Sequence, residues 1–369
     1  MDAGQFVDWL AGARSLSREQ RGRTLMVLAL SEAAEPEEGE PALAWSASLA
    51  DEGAIRPLPV PQESLDATRV SSPGPAASVA PGVVAATESR IDALGCPHCG
   101  SRRVRRWGRA HGLARHRCGD CGRTFNGLTG TPLARLRKKE RWSDQAAALT
   151  AGETVAKAAA RCGVAYTTAF RWRHRFLAGV ATDKPAHLSG IVEADEMFIL
   201  ESFKGKRDGL PRKARKRGGK ASKPGLSAEQ IPVLVARDRN GATIDGVLPK
   251  LDKASVTTVL GKVVGPDNDL CCDGGKAIVG FARKAKIPYH ILPAPGRPKP
   301  DAPLFHINNV NGYHGRFKEW ARRFHGVATK YLNRYLGWRR FLEATSPSVQ
   351  PGLLLKAAVG LGPYQHLTG

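Results

Sequence analysis

Two Cys-x-x-Cys pairs are the sequence feature that most constrains the fold. Cys96 and Cys99 form the first pair, Cys118 and Cys121 form the second, and 18 residues separate the pairs. Each pair directs two thiolates toward one ion, and four thiolates complete a closed tetrahedral site. The spacing is typical of zinc-binding domains. We therefore predict a zinc ribbon over residues 91–132 that holds one structural Zn²⁺; free or redox-active cysteines are the alternative.

Charge is unevenly distributed along the 369-residue chain. Residues 1–90 carry 13 acidic and 7 basic side chains, whereas residues 91–369 carry 21 acidic and 49 basic ones. A basic surplus of this size favours a polyanionic partner, because each neutralised phosphate releases counterions. Ribosomal and membrane-surface proteins share such a charge, so it does not decide the partner alone. No apolar run reaches the roughly 18 residues of a membrane span, and the N-terminus lacks a signal-peptide pattern.

Basic residues interleaved with an aromatic one lie between the two cysteine pairs. Such a pattern suits contact with a phosphate backbone, and a solvated ribbon face is the alternative. Two histidines near the cysteines, His98 and His116, are expected to be surface side chains rather than ligands. The residues predicted to contact DNA are Arg102, Arg103, Arg105 and Arg106, beside Trp107.

Residues 140–182 have the pattern of a helix-turn-helix domain. An Ala-rich helix (154–160) precedes the turn Cys162-Gly163-Val164, and a basic helix (166–177) follows it. In this motif the second helix enters the major groove of DNA; an ordinary helical hairpin is the alternative. The residues predicted to face DNA are Thr167, Thr168, Arg171, Arg173 and Arg175.

The N-terminal part gives a weaker signal. Residues 1–32 have helical spacing of apolar side chains, and residues 33–90 are rich in Ala, Pro, Glu, Ser and Gly. We predict a helical segment followed by a disordered linker.

Strands and helices alternate in the second half of the chain. Apolar strands are predicted from Ile191 and over 231–237, 242–248, 269–272 and 289–292, with a hairpin turn at Asn240-Gly241. Helices are predicted over 254–264, 277–286 and 307–343. This alternation predicts an α/β fold for residues 190–343, followed by a C-terminal tail (344–369).

Several blocks of this half resemble a known family. The blocks are VEADEMFI (192–199), LCCDGGKAI (270–278) and the long segment from His306 to Phe341, together with the cysteine-rich region and TGTPL (129–133). In this order they resemble insertion-sequence transposases of the ISXO type (insertion-sequence family 1595) over roughly residues 90–343. The C-terminal block is the most specific part.

The resemblance implies a ribonuclease-H-like fold and a metal site of the DDE type. Asp195 and Asp273 correspond to the first two family aspartates, the third position falls at Asn311, and Lys318 follows two helical turns later. Many relatives have Glu at the third position, and the ISXO type includes Asn forms. The implied cofactors are two Mg²⁺ or Mn²⁺ ions held by Asp195, Asp273 and Asn311, with Lys318 on a DNA phosphate. Taken alone, Asp195 and Asp273 could be helix caps or turn residues.

Two glutamates flank Asp195 and compete with it as ligands. Because successive strand residues face opposite ways, Glu196 is expected to be unable to share the face of Asp195. Glu193 shares that face one pleat further in. His306 and His314 are expected to make local structural hydrogen bonds.

A basic insert at residues 201–225 follows the first strand. It is expected to bind DNA phosphates, with an unengaged solvated loop as the alternative. The residues of the insert that are predicted to bind DNA are Lys213, Arg215, Lys216 and Arg217.

The sequence therefore predicts a bacterial, cytoplasmic, nucleoid-associated DNA transposase. Its partners are double-stranded DNA, as element ends and as target, and further copies of the chain, since two ends must meet. No membrane contact is expected. A catalytically inactive DNA-binding protein and a nuclease without strand transfer are the rival interpretations.

Overall fold

The computed structural model describes residues 79–206, 208–212, 221–222, 227–292 and 302–364. The predicted helical segment 1–32 and most of the predicted linker lie outside these residues. So do four predicted DNA-binding residues of the insert, Lys213, Arg215, Lys216 and Arg217. Within the described part, no helix is long and apolar enough to cross a membrane.

The cysteine-rich segment folds as a helix followed by a small antiparallel sheet. Helix α1 is Pro81–Leu94, and the strands are β1 (Val104–Ala110), β2 (Leu113–Cys118) and β3 (Thr124–Phe125). Ile91 of α1 packs against Cys96, Cys118 and Phe125. The disordered linker predicted to run to residue 90 is therefore wrong at its end. Apolar residues at helical spacing, including Val83 and Ala86, are buried there despite the Pro- and Gly-rich composition.

Three helices follow the ribbon: α2 (Trp142–Thr150), α3 (Val155–Cys162) and α4 (Tyr166–Thr182). The Thr154 side chain caps α3 by accepting a hydrogen bond from the Lys157 N–H at 3.4 Å. Gly163 ends α3 in the left-handed conformation, with φ of 59°, which glycine adopts without steric cost. The turn of the predicted helix-turn-helix therefore lies at Cys162-Gly163-Val164.

The second half contains a five-stranded mixed sheet. The strands are β4 (Ile191–Leu200), β5 (Gln230–Asp238), β6 (Thr243–Val247), β7 (Asp269–Cys272) and β8 (Tyr289–Ile291). Their order in the sheet is β6-β5-β4-β7-β8. β4 lies antiparallel to β5 and β5 antiparallel to β6, whereas β7 lies parallel to β4 and to β8. The predicted Asn240-Gly241 turn joins β5 to β6, and Gly241 has a φ of 87°.

Helices cover both faces of the sheet. Val192 and Ala194 of β4 pack toward α5 (Lys253–Leu260) and α6 (Lys276–Ala285). Met197 lies in the core formed with α7 (Asn308–Arg322) and α8 (Leu332–Ala344). The helix predicted over 307–343 is thus interrupted, because His325 and Gly326 both have positive φ, 50° and 90°.

The last helix joins the N-terminal modules. Helix α9 (Pro351–Ala358) packs against α1, α2 and α4. A Cβ at Gly179 of α4 would lie 2.2 Å from the carbonyl oxygen of Ala358, so glycine is required for this close approach. The predicted C-terminal tail therefore contributes a helix whose Leu354 and Leu355 are buried.

Helix α8 ties the helix-turn-helix to the sheet. The Trp338 indole N–H donates to the Leu149 carbonyl at 2.9 Å. The buried Arg340 guanidinium donates to the Asp245 carboxylate of β6 at 2.5 Å and to the Ala181 and Asp183 carbonyls. Loss of one partner of such a pair leaves a charge buried without its counter-ion.

We predict that Arg340→Met lowers the free energy of unfolding by about 3–5 kcal/mol, because Asp245 would stay buried without a cation. Arg322→Met is the matched control, since its pair with Glu319 is exposed and contributes at most about 1 kcal/mol. Urea unfolding monitored by tryptophan fluorescence measures both. Equal losses in the two variants would contradict a structural role for the buried pair.

Candidate active site

Three carboxylates come together where the pairing between β4 and β7 stops. Parallel pairing of the two strands stops at Glu193 and Cys271, and Asp195 and Asp273 each follow by two residues. One carboxylate oxygen from each of Asp195, Glu196 and Asp273 lies within 4.8 Å of the other two. Asp273 directly follows the end of β7, as predicted. The prediction that a strand ends at Asp195 is wrong, because β4 stays paired with β5 as far as Leu200.

Glu196 is the functional residue that sequence reasoning rejected. The expectation that it cannot share a site with Asp195 is wrong, because one Glu196 oxygen lies within 4.8 Å of Asp195 and Asp273. Successive side chains of a strand start on opposite faces of the sheet. Beyond Glu193, however, β7 no longer pairs with β4, and both side chains can bend around the open edge. Gly275 adjoins this edge: a Cβ on it would lie 3.3 Å from Asp273 Oδ1 and 3.5 Å from Glu196 Oε2.

Like charges and burial perturb this cluster. Burial, and next the Asp273 carboxylate, raise the pKa of Asp195 to about 6, although the Glu196 N–H and Lys318 oppose the shift. Burial, and next Asp195 and Asp273, raise the pKa of Glu196 to about 7. Without a cation, Asp195 and Glu196 therefore hold protons at pH values at which ordinary carboxyls are ionised.

Helix α7 presents polar side chains to the same cleft. The cleft has a volume of about 600 Å³ and is lined by Asp195, Glu196, Asn311, His314 and Lys318, among others. His314 Nδ1 lies 3.6 Å from Asp195 Oδ2. Burial, and next Lys318, lower the pKa of His314 to about 4, so the imidazole is neutral at physiological pH. Asn311 and Lys318 share this face of α7, as their spacing predicted.

Glu193 anchors the start of α7 instead of joining the cluster. Its buried carboxylate accepts hydrogen bonds from the Val310 N–H at 2.9 Å and the Asn309 amide at 2.8 Å, and it also pairs with Arg239. Burial opposes ionisation, but the His306 hydrogen bond and these donors lower its pKa. Glu193 thus belongs to a structural hydrogen-bond network at the start of α7. His306 is part of this network, as expected, because its Nδ1 lies 3.3 Å from Glu193 Oε1.

The four cysteines form a second cluster in the ribbon. Their sulfur atoms lie within 4.8 Å of one another. The Sγ atoms of Cys96 and Cys121 are 3.7 Å apart, and those of Cys99 and Cys118 are 3.6 Å apart. Backbone N–H groups point at the sulfurs: His98 donates to Cys96 at 3.4 Å and Cys121 to Cys118 at 3.5 Å. Four convergent sulfurs form the donor set of a closed tetrahedral metal site.

Of the residues predicted to face DNA on the second helix of the helix-turn-helix, some are exposed and others contact the protein. Thr167 and Arg171 of α4 are exposed, and Thr168 is half-buried. The prediction for Arg173 is wrong: it is buried, donates to the Glu153 carbonyl at 2.6 Å and stacks over Trp338. The prediction for Arg175 is also wrong, because its guanidinium donates to the carbonyls of Pro132 and Ala134. The helix turns both arginines toward the protein.

The ribbon presents an exposed basic face. The guanidiniums of Arg105 and Arg117 lie 5.2 Å and 4.9 Å from the ring centroid of the exposed Trp107. His116 is buried and stacks on Phe125, so it is neither a surface residue nor part of the sulfur cluster. The four arginines predicted to contact DNA, Arg102, Arg103, Arg105 and Arg106, are all exposed.

We predict that Asp195→Asn becomes more stable relative to wild type as the pH rises from about 4 to about 6 without added divalent cation. The raised pKa of Asp195 means that the folded state holds its proton more tightly. The buried acid therefore costs nothing at low pH and destabilises the fold as it ionises, by about 1–3 kcal/mol. Thermal unfolding across this range measures the difference, with the exposed Asp267→Asn as control. A pH-independent difference would contradict the assigned burial.

Comparisons with known proteins agree with this organisation. Residues 187–341 match the family model described as the ISXO2-like transposase domain, and residues 135–181 match a homeodomain-like helix-turn-helix model. An uncharacterized protein in the transposable element ISH50 of Halobacterium salinarum is 32% identical over 147 residues, 39% of this chain and 49% of that relative. The match thus spans about half the length of this curated relative.

One solved structure, a crystal structure of a pre-cleavage Mos1 transpososome, aligns with 61% of this chain and 81% of its own at 13% identity and a TM-score of 0.18. The argument for the family rests on the sequence similarities alone. They confirm the resemblance predicted from the sequence, because residues 187–341 match the ISXO2-like transposase domain and the chain is similar to a protein of a transposable element.

Proposed function

We propose that this protein is a DNA transposase that binds the ends of a mobile element and catalyses metal-dependent strand cleavage and strand transfer. The observation that carries the proposal is the cluster of Asp195, Glu196 and Asp273 in a cleft inside the matched transposase domain. Carboxylates are the ligands that Mg²⁺ and Mn²⁺ prefer. A helix cap or turn role for either aspartate does not account for three adjacent acids.

The topology supports a ribonuclease-H-like assignment for residues 190–343. The central strand β4 has an antiparallel neighbour on one side and a parallel neighbour on the other, with helices on both faces of the sheet. The proximity of Asp195 on β4 to Asp273, just after β7, supports the metal site that the resemblance implies.

The residues present fit a divalent cation. The cluster offers only oxygen donors, and burial beside like charges disfavours the ionised forms of Asp195 and Glu196 until a cation is bound. Asp195 and Asp273 would hold the metal, and Asn311 could contribute its amide oxygen. When bound, two such ions activate an attacking hydroxyl and stabilise the leaving oxygen of a phosphodiester.

The chain's other residues around the cleft would position DNA. Lys318 is exposed at the cleft and can bind a backbone phosphate. The neutral His314 adds no positive charge, and its Nε2 has no hydrogen-bond partner among the described residues. A 3′-hydroxyl or water serves as nucleophile, so the reaction requires no covalent intermediate with the protein.

Two modules would recognise the element ends. Helix α4 presents Thr167, Thr168 and Arg171 for the major groove, and the exposed arginines of the ribbon suit phosphate contact. We propose one Zn²⁺ held by Cys96, Cys99, Cys118 and Cys121 as the structural ion of the ribbon. Joining two ends to one target requires at least two active sites, so we propose a homodimer or higher oligomer on DNA.

We predict that the wild-type protein joins a labelled element end to target DNA with Mg²⁺ or Mn²⁺, and that Asp273→Ala abolishes joining and cutting while end binding persists. The aspartate supplies a metal ligand but makes no structural ion pair among the described residues. Gel analysis of strand-transfer products measures this, and Asp267→Ala is the matched control. Cutting without joining would indicate a nuclease, and binding without either would indicate a DNA-binding protein only.

We predict that Arg171→Ala weakens binding to the element end by about 1–3 kcal/mol and reduces discrimination against a scrambled duplex, because Arg171 reads base edges. Arg283→Ala removes an equal charge from an exposed position of α6 and should change neither. Arg173→Ala should lower thermal stability instead, since its side chain is buried. Fluorescence anisotropy at fixed salt measures binding. Equal effects of Arg171→Ala on both duplexes would contradict base readout.

A further inference from the structure

Glu196 lies inside the carboxylate cluster, although the resemblance predicted from the sequence assigns it no role. One of its oxygens lies within 4.8 Å of one oxygen each of Asp195 and Asp273. Its Oε1 is buried and has no hydrogen-bond partner within the described residues. A buried carboxylate oxygen without a partner is unfavourable unless a cation or proton occupies the site.

The backbone next to Glu196 leaves its carboxylate without a charged neighbour of opposite sign. Gly275, which immediately precedes α6, adjoins the carboxylate, and a Cβ there would make only ordinary contacts with Glu196 Oε2 at 3.5 Å and Oε1 at 3.7 Å. No arginine or lysine forms an ion pair with Glu196 among the described residues, whereas Glu193, the other glutamate next to Asp195, is paired with Arg239. Of the two glutamates that flank the aspartate, Glu196 alone is therefore available for a cation.

The charge of the site favours the same assignment. Asn311 occupies the third family position, and an amide contributes no negative charge. Asp195 and Asp273 together supply two negative charges, and Lys318 places a positive charge near Asp195. Divalent cations bind more tightly as the number of charged ligands increases. A third carboxylate therefore compensates for the neutral residue on α7.

We propose that Glu196 is a direct ligand of the divalent-cation site and supplies its third negative charge in place of an acidic residue at position 311. This inference rests on the proposed metal-dependent function. It assigns the third carboxylate to β4, next to Asp195 in the chain, instead of to α7.

The test measures Mn²⁺ binding to the full chain with its ribbon zinc-loaded. The electron paramagnetic resonance signal of free Mn²⁺ reports how much of the ion is bound. Four proteins are compared: wild type, Glu196→Gln, Asp273→Asn and Glu319→Gln. Glu319 is an exposed glutamate of α7, with its side chain 68% accessible, and serves as the matched control. We expect Glu196→Gln to weaken Mn²⁺ binding by about tenfold or more, as Asp273→Asn does, and Glu319→Gln to bind like wild type.

The possible results separate the inference from the proposed function. Wild-type affinity in Glu196→Gln, with loss in Asp273→Asn, would overturn the role of Glu196 and leave the transposase proposal intact. Absence of Mn²⁺ binding by the wild type would remove the basis of both.

Thermal unfolding without Mn²⁺ supplies the second measurement. Because Glu196 Oε1 has no partner and lies beside two like charges, Glu196→Gln should unfold at or above the wild-type temperature. Mn²⁺ should then raise the unfolding temperature of the wild type more than that of the variant. A large loss of stability in the metal-free variant would instead show that Glu196 is a structural residue and would overturn the inference.

Discussion

Parallel pairing of β4 with β7 sets the position of every acidic group in the candidate site. The register runs from Ile191 opposite Asp269 to Glu193 opposite Cys271, and the buried Val192 and Leu270 lie within it. A slip of one residue would turn Asp195 to the other face of the sheet. The apolar core therefore maintains the proximity of carboxylates that repel one another. The candidate site is stabilised by its surroundings, and its own charges oppose folding until a cation is bound.

Helix α7 is coupled to this arrangement through Glu193. That side chain shares the strand with Asp195 and accepts hydrogen bonds from Val310 and Asn309 at the start of α7. Residue 311, next along the helix, is thereby held at a fixed position relative to Asp195 of β4. A buried carboxylate at a helix N-terminus is stabilised by the free N–H groups and the helix dipole. Glu193 and Glu196 thus have different roles, because hydrogen-bond donors surround the Glu193 carboxylate whereas Glu196 Oε1 has no donor among the described residues.

Much of this organisation was predictable from local signals. The Asn240-Gly241 turn, the strand ending at Cys272 and the paired cysteines each depend on a few adjacent residues, and the structure contains all of these elements. The errors concern tertiary contacts. The sequence predicted that Arg173 and Arg175 form a basic DNA-binding face. Instead, the Arg173 guanidinium contacts Trp338 of α8 and the Glu153 carbonyl, and the Arg175 guanidinium donates to carbonyls of the segment before α2. Helix α1 was not predicted, because its Val83 and Ala86 are buried by elements distant in sequence. The rejection of Glu196 used strand alternation alone, which does not consider that pairing of β4 with β7 stops at Glu193 and leaves an edge around which a long side chain can bend.

The contrast between the acidic cleft and the basic remainder has a consequence for the proposed reaction. Residues after 90 carry a large basic surplus, which attracts DNA from a distance. Close to the cleft, however, Asp195, Glu196 and Asp273 would repel the phosphate on which they are proposed to act. Only a cation between the acids and the phosphate can make that approach favourable. Metal and DNA binding at the cleft are therefore thermodynamically linked: the ion strengthens binding of the scissile phosphate, and by reciprocity the bound phosphate strengthens binding of the ion. The DNA contacts proposed for the ribbon and α4 lie outside this linkage, so in the proposed reaction recognition of the element ends does not require the metal.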